Sequence, residues 1–77
     1  MKELLEYIAR ELVEEPDAVE VTEIQDERGL LLRLKVDPED MGKVIGKGGR
    51  TARAIRTVVK AAAVRSGVHA AVEIVEE

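Results

Sequence analysis

The sequence predicts an α+β domain in which a three-stranded sheet has its helices packed on one face. Apolar residues recur with helical spacing near the N-terminus and in residues 50–66, and they alternate in residues 30–36 and 68–76. A glycine-rich stretch at residues 46–49 separates two helical segments. The predicted order of elements is αββααβ, and 77 residues are enough for one small domain.

The first half of the chain predicts a helix followed by a β-hairpin. Apolar residues recur at helical spacing from Leu4 to Val13, and Pro16 prevents the helix from continuing. Residues 18–24 and 30–36 flank a polar turn and are predicted as antiparallel strands. The alternation slips between Val21 and Ile24, which leaves a β-bulge or an early strand end open at that point.

The second half predicts two helices joined by a glycine turn and then a third strand. Asp37 is a favourable N-cap and Pro38 suits the first helical turn, so a short helix is expected from Pro38 to about Ile45. A second helix is expected from Arg50 to about Ser66, where Gly67 is a typical C-terminal stop. Residues 68–76 then alternate as a strand whose inward-facing residues are Val68, Ala70, Val72 and Ile74.

The net charge of −4 hides regions of opposite sign. Residues 1–40 carry five basic and 13 acidic side chains, a net charge of −8, and residues 67–77 add −3. Residues 41–66 contain no acidic residue and have a charge of +7, from Lys43, Lys47, Arg50, Arg53, Arg56, Lys60 and Arg65. An ordinary solvated surface mixes both signs, so this segment is expected to face a negatively charged partner.

Composition disfavours several classes of protein. The chain has no cysteine and one histidine, His69, so neither a metal site nor a cofactor is expected. No constellation of nucleophile and base is recognisable, and an enzyme is not expected. Tyr7 is the only aromatic residue, which argues against RNA-binding surfaces built on aromatic rings. Since no apolar run approaches the roughly 18–20 residues of a membrane span, a cytoplasmic protein is expected.

The glycine turn is the strongest candidate for a binding site. Gly46, Gly48 and Gly49 are expected to let two helices meet with positive φ angles and to leave the backbone bare. The free N–H groups and the positive dipole end of the next helix would lie beside Lys47 and Arg50. Phosphate is therefore the expected ligand.

Three other phosphate- or DNA-binding motifs fit the sequence poorly. A P-loop requires Ser or Thr after its lysine, where this chain has Gly48. A dinucleotide-binding fingerprint would require a glycine at Thr51 and a larger sheet. A DNA-binding helix-turn-helix is disfavoured because strands are predicted on both sides of the helices and because the turn itself is the basic feature.

The string VIGKGGRTARAI, residues 44–55, resembles the signature of the KH domain of RNA-binding proteins. Val44, Ile45, Gly46, Gly49 and Ile55 carry the resemblance. The extra helix and strand before the β-α-α-β core resemble bacterial type II KH domains. The resemblance implies one KH domain over residues 1–77, with an N-terminal helix and strand in 1–25 and a KH core in 29–77. In length the chain is similar to small stand-alone bacterial KH proteins of the KhpA type.

This resemblance implies a cytoplasmic protein that binds single-stranded RNA, as an RNA chaperone or a post-transcriptional regulator. The GKGG loop would hold the phosphate backbone, and a KH module accommodates about four nucleotides. The RNA-binding residues expected are Lys43, Val44, Ile45, Gly46, Lys47, Gly48, Gly49, Arg50 and Arg53. Of the apolar pair, Ile45 is expected in the core and Val44 partly in a base-binding groove. Single-stranded DNA binding and a protein-interaction module remain open as alternatives.

The resemblance also implies homodimers and pairing with a larger KH-domain partner of the KhpB type, also called Jag or EloR. The helix that follows the loop carries a second stripe of small residues besides its core face. A helix on the surface of a monomer needs only one apolar face, so this stripe is predicted to contact a second copy. The predicted dimer residues are Ala54, Arg56, Thr57, Val58 and Ala61.

Overall fold

The computed structural model describes residues 1–76 and contains the predicted order of elements. Helices α1, α2 and α3 span Lys2–Leu12, Met41–Ile45 and Arg50–Arg65, and strands β1, β2 and β3 span Glu20–Asp26, Gly29–Lys35 and Ala70–Ile74. Single turns of 3₁₀ helix occur at Pro16–Ala18, Pro38–Asp40 and Lys47–Gly49. The predicted αββααβ order is confirmed; Glu77, the last residue of the predicted KH core, lies outside the described residues.

The strands form one mixed sheet in the order β1-β2-β3. Strands β1 and β2 pair antiparallel, whereas β2 and β3 pair parallel, with Leu30 opposite Ala70. The pairing of β1 is one-to-one as far as Asp26, so neither the bulge nor the early strand end left open by the sequence is present. The apparent slip arises because Ile24 lies on the outer face of the sheet, opposite Leu31.

Strand β3 begins later than the predicted 68–76 because the end of α3 uses the intervening backbone. The N–H of Gly67 donates to Val64 O at 3.1 Å, and the N–H of Val68 donates to Ala63 O at 2.9 Å. This pair of bonds is a Schellman cap, with Gly67 at a φ of 72°. Val68 therefore belongs to the cap and is exposed, although it was predicted to face inward.

Helices and sheet share one hydrophobic core on the inner face of the sheet. Its buried members are Leu5, Ala9, Val19, Val21, Leu32, Leu34, Val36, Val44, Ile55, Val59, Ala63, Ala70 and Val72. Each large apolar side chain buried there stabilises the fold by roughly 1.5–3 kcal/mol. The outer face is polar at the centre, where Arg33 Nε donates to Glu73 Oε1 at 2.6 Å. The expected placement of the helices on one face is confirmed.

Two aspartates fix the segment that leads into α2. Asp37 caps it as predicted, because its Oδ1 accepts from the N–H of Glu39 at 2.9 Å. Asp40 is buried, and its Oδ2 accepts from the N–H of Glu15 at 3.1 Å. This bond joins the connection after α1 to the start of α2. It therefore helps to fix the position of α2 and of the glycine loop that follows it. None of the described helices has the length and hydropathy that crossing a membrane requires.

Candidate nucleic-acid interface

The glycine loop has the bare, bent backbone that the sequence predicts. Gly46, Gly48 and Gly49 have φ angles of 74°, 64° and 76°. At Gly46 space is also limiting, because a Cβ there would overlap the hydroxyl of Thr51 and lie 2.7 Å from its Cβ. Gly48 instead faces open space. The loop tip can therefore be approached closely by a ligand, while its first glycine is packed against α3.

The N-terminus of α3 opens at this loop. Gly49 is its N-cap residue, and no side chain caps the first turn. The N–H groups of Gly49 and Arg50 donate to Gly46 O and Lys47 O in the preceding 3₁₀ turn, and the positive end of the helix dipole favours an anion. The exposed side chains of Lys47 and Arg50 flank this point. The arrangement suits phosphate oxygens.

Arg53 braces the loop from α3. Its Nη2 donates to the carbonyl oxygen of Gly48 at 2.8 Å. A guanidinium has five N–H donors, so this bond leaves others for a ligand. Arg53 was predicted only as a phosphate contact. Its second role, holding the loop tip, could not be predicted because it depends on how the loop folds back on α3.

Lys43 lies apart from the other predicted cationic residues. Its Nζ is 3.7 Å from Asp40 Oδ1 and 3.9 Å from Glu14 Oε1. Both carboxylates attract the ammonium group toward the connection after α1. Contact with a phosphate at the loop would require Lys43 to leave these two partners.

Val44 is more deeply buried than Ile45, the opposite of what was expected. Val44 is fully buried in the core and offers no surface to a base, although it was expected to line a groove. Ile45 is half-buried and packs against the edge of the core, so it is the member of the pair that reaches the surface. Asp40, one helical turn before Val44, is buried as well, so this side of the segment faces the core.

Helix α3 has a basic flank that faces β3. At about 100° per residue, Arg53, Arg56 and Lys60 share one side of the helix. The Nε of Arg56 donates to the carbonyl oxygen of Val72 at 3.4 Å. Arg56 was predicted for the dimer contact, but it lies about 200° around the helix from Val58. The structure therefore places it outside the predicted dimer stripe.

The opposite flank of α3 faces α1 and forms an open apolar groove of about 410 Å³. The groove is lined by Leu4, Tyr7, Ile8 and Leu12 of α1 and by Thr51, Ala54, Ile55 and Val58 of α3. Val58 is 47% exposed and Tyr7 is 65% exposed. Tyr7 is thus mostly in solvent. The contribution of α1 was missed, although its apolar stripe is wider than one core face requires.

A mixed three-stranded sheet in this order, with a Gly-x-x-Gly turn between its second and third helices, defines a KH domain of type II. The KH-domain family described as KhpA/KhpB matches residues 2–74, and the chain belongs to this family. The resemblance noted in the sequence is confirmed.

Relatives named RNA-binding protein KhpA match almost the whole chain. The protein of Clostridium acetobutylicum is 60% identical over 75 residues, which cover 97% of this chain and 100% of the relative. That of Caldanaerobacter subterraneus is 57% identical over the same shares of both chains. That of Aquifex aeolicus is 46% identical and covers 99% of this chain and 96% of its own.

Proposed function

We propose that this protein binds single-stranded RNA through the GKGG loop, residues 46–49, and the first turn of α3. It acts in the cytoplasm as an RNA chaperone or a post-transcriptional regulator. The observation that carries the proposal is the coincidence of a bare glycine backbone, the positive dipole end of α3 and the +7 segment. The names of the relatives support RNA as the nucleic acid.

The loop binds the phosphate backbone without needing any covalent step. Phosphate oxygens lie against the bare backbone of the loop tip, at the positive end of the α3 dipole. Lys47 and Arg50 attract the same phosphates, and Arg53 keeps the loop carbonyl of Gly48 turned toward α3. The half-buried Ile45 gives a base an apolar contact beside the loop. Binding of this kind weakens as salt rises because phosphate contacts release counterions.

The double variant Lys47→Asp/Gly48→Asp tests the loop. It adds carboxylates where phosphate approaches, and we expect RNA binding to be lost while the domain stays folded. The space around Gly48 is open, and Asp tolerates its positive φ of 64° better than most residues. Fluorescence anisotropy with a labelled single-stranded RNA measures binding, and circular dichroism checks the fold.

A matched control applies the same charge change at the other end of α3. Arg65→Asp/Gly67→Asp replaces one cation and one glycine, and Gly67 also has open space and a positive φ of 72°. This control should bind RNA nearly as well as the parent. If the loop variant is folded and binds as tightly as the parent, the loop is not the site. RNA and DNA differ in the 2′-hydroxyl. If the parent binds a DNA oligonucleotide of the same sequence more tightly than the RNA, its ligand is single-stranded DNA.

The protein also forms a homodimer through the groove between α1 and α3. Ala54, Thr57, Val58 and Ala61 are exposed on that side of α3, and small side chains allow a second helix to approach to about 8–10 Å between axes. Glu11 on α1 and Arg50 on α3 are exposed. A two-fold contact that sets α1 of one copy against α3 of the other places unlike charges together. A larger KH-domain partner of the KhpB type uses the same surface in a heterodimer.

A further inference from the structure

Strand β1 is an edge of the sheet, and half of its backbone groups point outward. The N–H of Leu30, which lies opposite Gln25, donates to His69 O on the other side of β2. Bonding alternates along an antiparallel pair, so the N–H and C=O groups of Val21, Glu23 and Gln25 point away from β2. Within residues 1–76, no strand pairs with this outer side of β1. An edge of this kind can pair with another extended chain.

The β1 edge is regular and carries carboxylates. It has neither a proline nor a bulge, the features that commonly block a sheet edge. Glu20, Glu23 and Asp26 are exposed along it. Pairing of two copies is disfavoured, because an antiparallel pair centred on Glu23 sets Glu23 opposite its own copy and Glu20 opposite Asp26. The charges therefore select a cationic chain.

A cavity of about 700 Å³ opens on the inner side of this edge. Glu23 and Gln25 line it from β1, and Ser66 and Val68 line it from the end of α3. Among residues 1–76, no cationic group forms an ion pair with Glu23. A residue added opposite Glu23 points its side chain to the same face of the sheet. A long cationic side chain at that place would enter the cavity and meet the free carboxylate.

An apolar row on the outer face of the sheet ends at the same edge. Ile24 lies opposite Leu31, and Leu31 lies opposite Ala71. Ile24 is 39% exposed, so the row is open on the side of the edge. Apolar pairs across neighbouring strands stabilise a sheet. An apolar side chain on an added strand would extend this row.

We propose that the β1 edge binds an extended segment of a partner protein in which cationic and apolar residues alternate. The segment adds a fourth strand, with its cationic side chains toward Glu23 and the cavity and its apolar side chains toward Ile24. Backbone hydrogen bonds supply the affinity of such strand addition, and alternate side chains supply the specificity. The net charge of −8 on residues 1–40 attracts this segment and repels RNA.

A labelled octapeptide of alternating lysine and valine tests the proposal. Its control is the same peptide with methylated backbone nitrogens, which has the same charge but cannot donate backbone hydrogen bonds. Anisotropy titrations should show that the parent binds the unmethylated peptide at least about tenfold more tightly than the control, since several backbone bonds are at stake.

Gln25→Pro blocks the edge and removes no bond to β2, because the N–H of Gln25 points outward. It should weaken binding of the unmethylated peptide at least about fivefold, whereas Gln25→Thr, which keeps the N–H, should bind like the parent. Circular dichroism checks the fold. If Gln25→Pro does not fold, Glu23→Lys gives a second readout. It should weaken binding more than Glu39→Lys, the same charge change at an exposed site in the turn before α2.

Four results would overturn the inference. Equal binding of the two peptides, or equal weakening by Glu23→Lys and Glu39→Lys, would mean that diffuse charge alone attracts the peptide. Absence of binding to the unmethylated peptide would show that the edge does not accept such a segment. A parent dimer that Gln25→Pro converts to a monomer would show that a second copy occupies the edge. None of these results bears on RNA binding by the glycine loop.

Discussion

The two flanks of α3 differ in character and in what they face. Arg53, Arg56 and Lys60 line the flank beside β3, where Arg56 contacts the strand edge. Ala54 and Val58 line the flank beside α1, where an apolar groove is open to solvent. The buried side chains of Ile55 and Val59 separate the two flanks. One helix can therefore serve two surfaces, one recognising charge and the other shape.

This separation has a physical consequence for function. Phosphate binds to exposed cationic side chains, and the contacts release counterions. A protein partner instead binds by burying apolar surface, which removes that surface from water. Arg56 and Val58 lie about 200° apart around α3, so the proposed RNA and dimer surfaces use different side chains there, whereas Arg50 beside the loop is assigned to both. A dimer of this kind presents two RNA surfaces, and avidity can then compensate for the small number of bases that one domain reads.

Both flanks of α3 depend on Gly46, which sets the point where the helix begins. A Cβ there would overlap Thr51, and its φ of 74° strains any other residue. We expect Gly46→Ala to lower the free energy of unfolding by about 2–5 kcal/mol, from strain and overpacking together. Urea denaturation measures this.

Gly42→Ala is the matched control for that variant. Gly42 lies in α2 with nothing within 4 Å of the added Cβ. The control should stabilise the protein by about 0.5–1 kcal/mol, because alanine loses less backbone entropy in a helix. Equal stability of the Gly46 variant and the parent would show that the loop geometry is wrong.

The apolar flank is tested next by Val58→Glu. A charge placed in the groove cannot be buried without a partner, so we expect the homodimer to become a folded monomer. Light scattering measures the mass. Val68→Glu makes the same substitution just after this helix, at a site that is 43% exposed and outside the groove, and it should remain a dimer. If the parent protein is monomeric, the proposed homodimer does not form.

The smallest effect separates two lysines near the loop. For single-stranded nucleic acid, log K falls with log salt by about 0.7 per phosphate contacted, so three or four contacts give a slope of roughly −2 to −3. Lys47→Gln should make the slope shallower by about 0.7. Lys43→Gln should change it by less, because Asp40 and Glu14 hold that side chain. An equal change for both lysines would show that Lys43 leaves its carboxylates to bind RNA.

The sequence predicted best the features that depend on neighbours along the chain. The cap at Asp37, the stop at Gly67 and the positive φ angles of the loop follow from the local requirements of helix ends and turns. The KH signature in residues 44–55 depends on the same local chemistry, which is why the family could be inferred before any contact was known.

Contacts between distant segments could not be predicted in the same way. Lys43 pairs with Glu14, and Arg56 reaches Val72, only because α1, α3 and β3 dock in one particular arrangement. The exposure of Tyr7 depends equally on where α1 packs. A helical period identifies the faces of a helix, but it does not say which neighbour covers each face.

Nuclear magnetic resonance can test whether RNA binds the basic flank of α3 and not the groove beside α1. The isotope-labelled protein is titrated with a short single-stranded RNA, and the amide chemical shifts are measured at each step. We expect the shifts to concentrate in residues 46–50, at Arg53 and Arg56, and along the free edge of β3. Amides on the groove side, such as those of Tyr7, Leu12 and Val58, should stay unchanged. Shifts centred on the groove, with none at the glycine loop, would contradict the assignment of RNA to the basic flank.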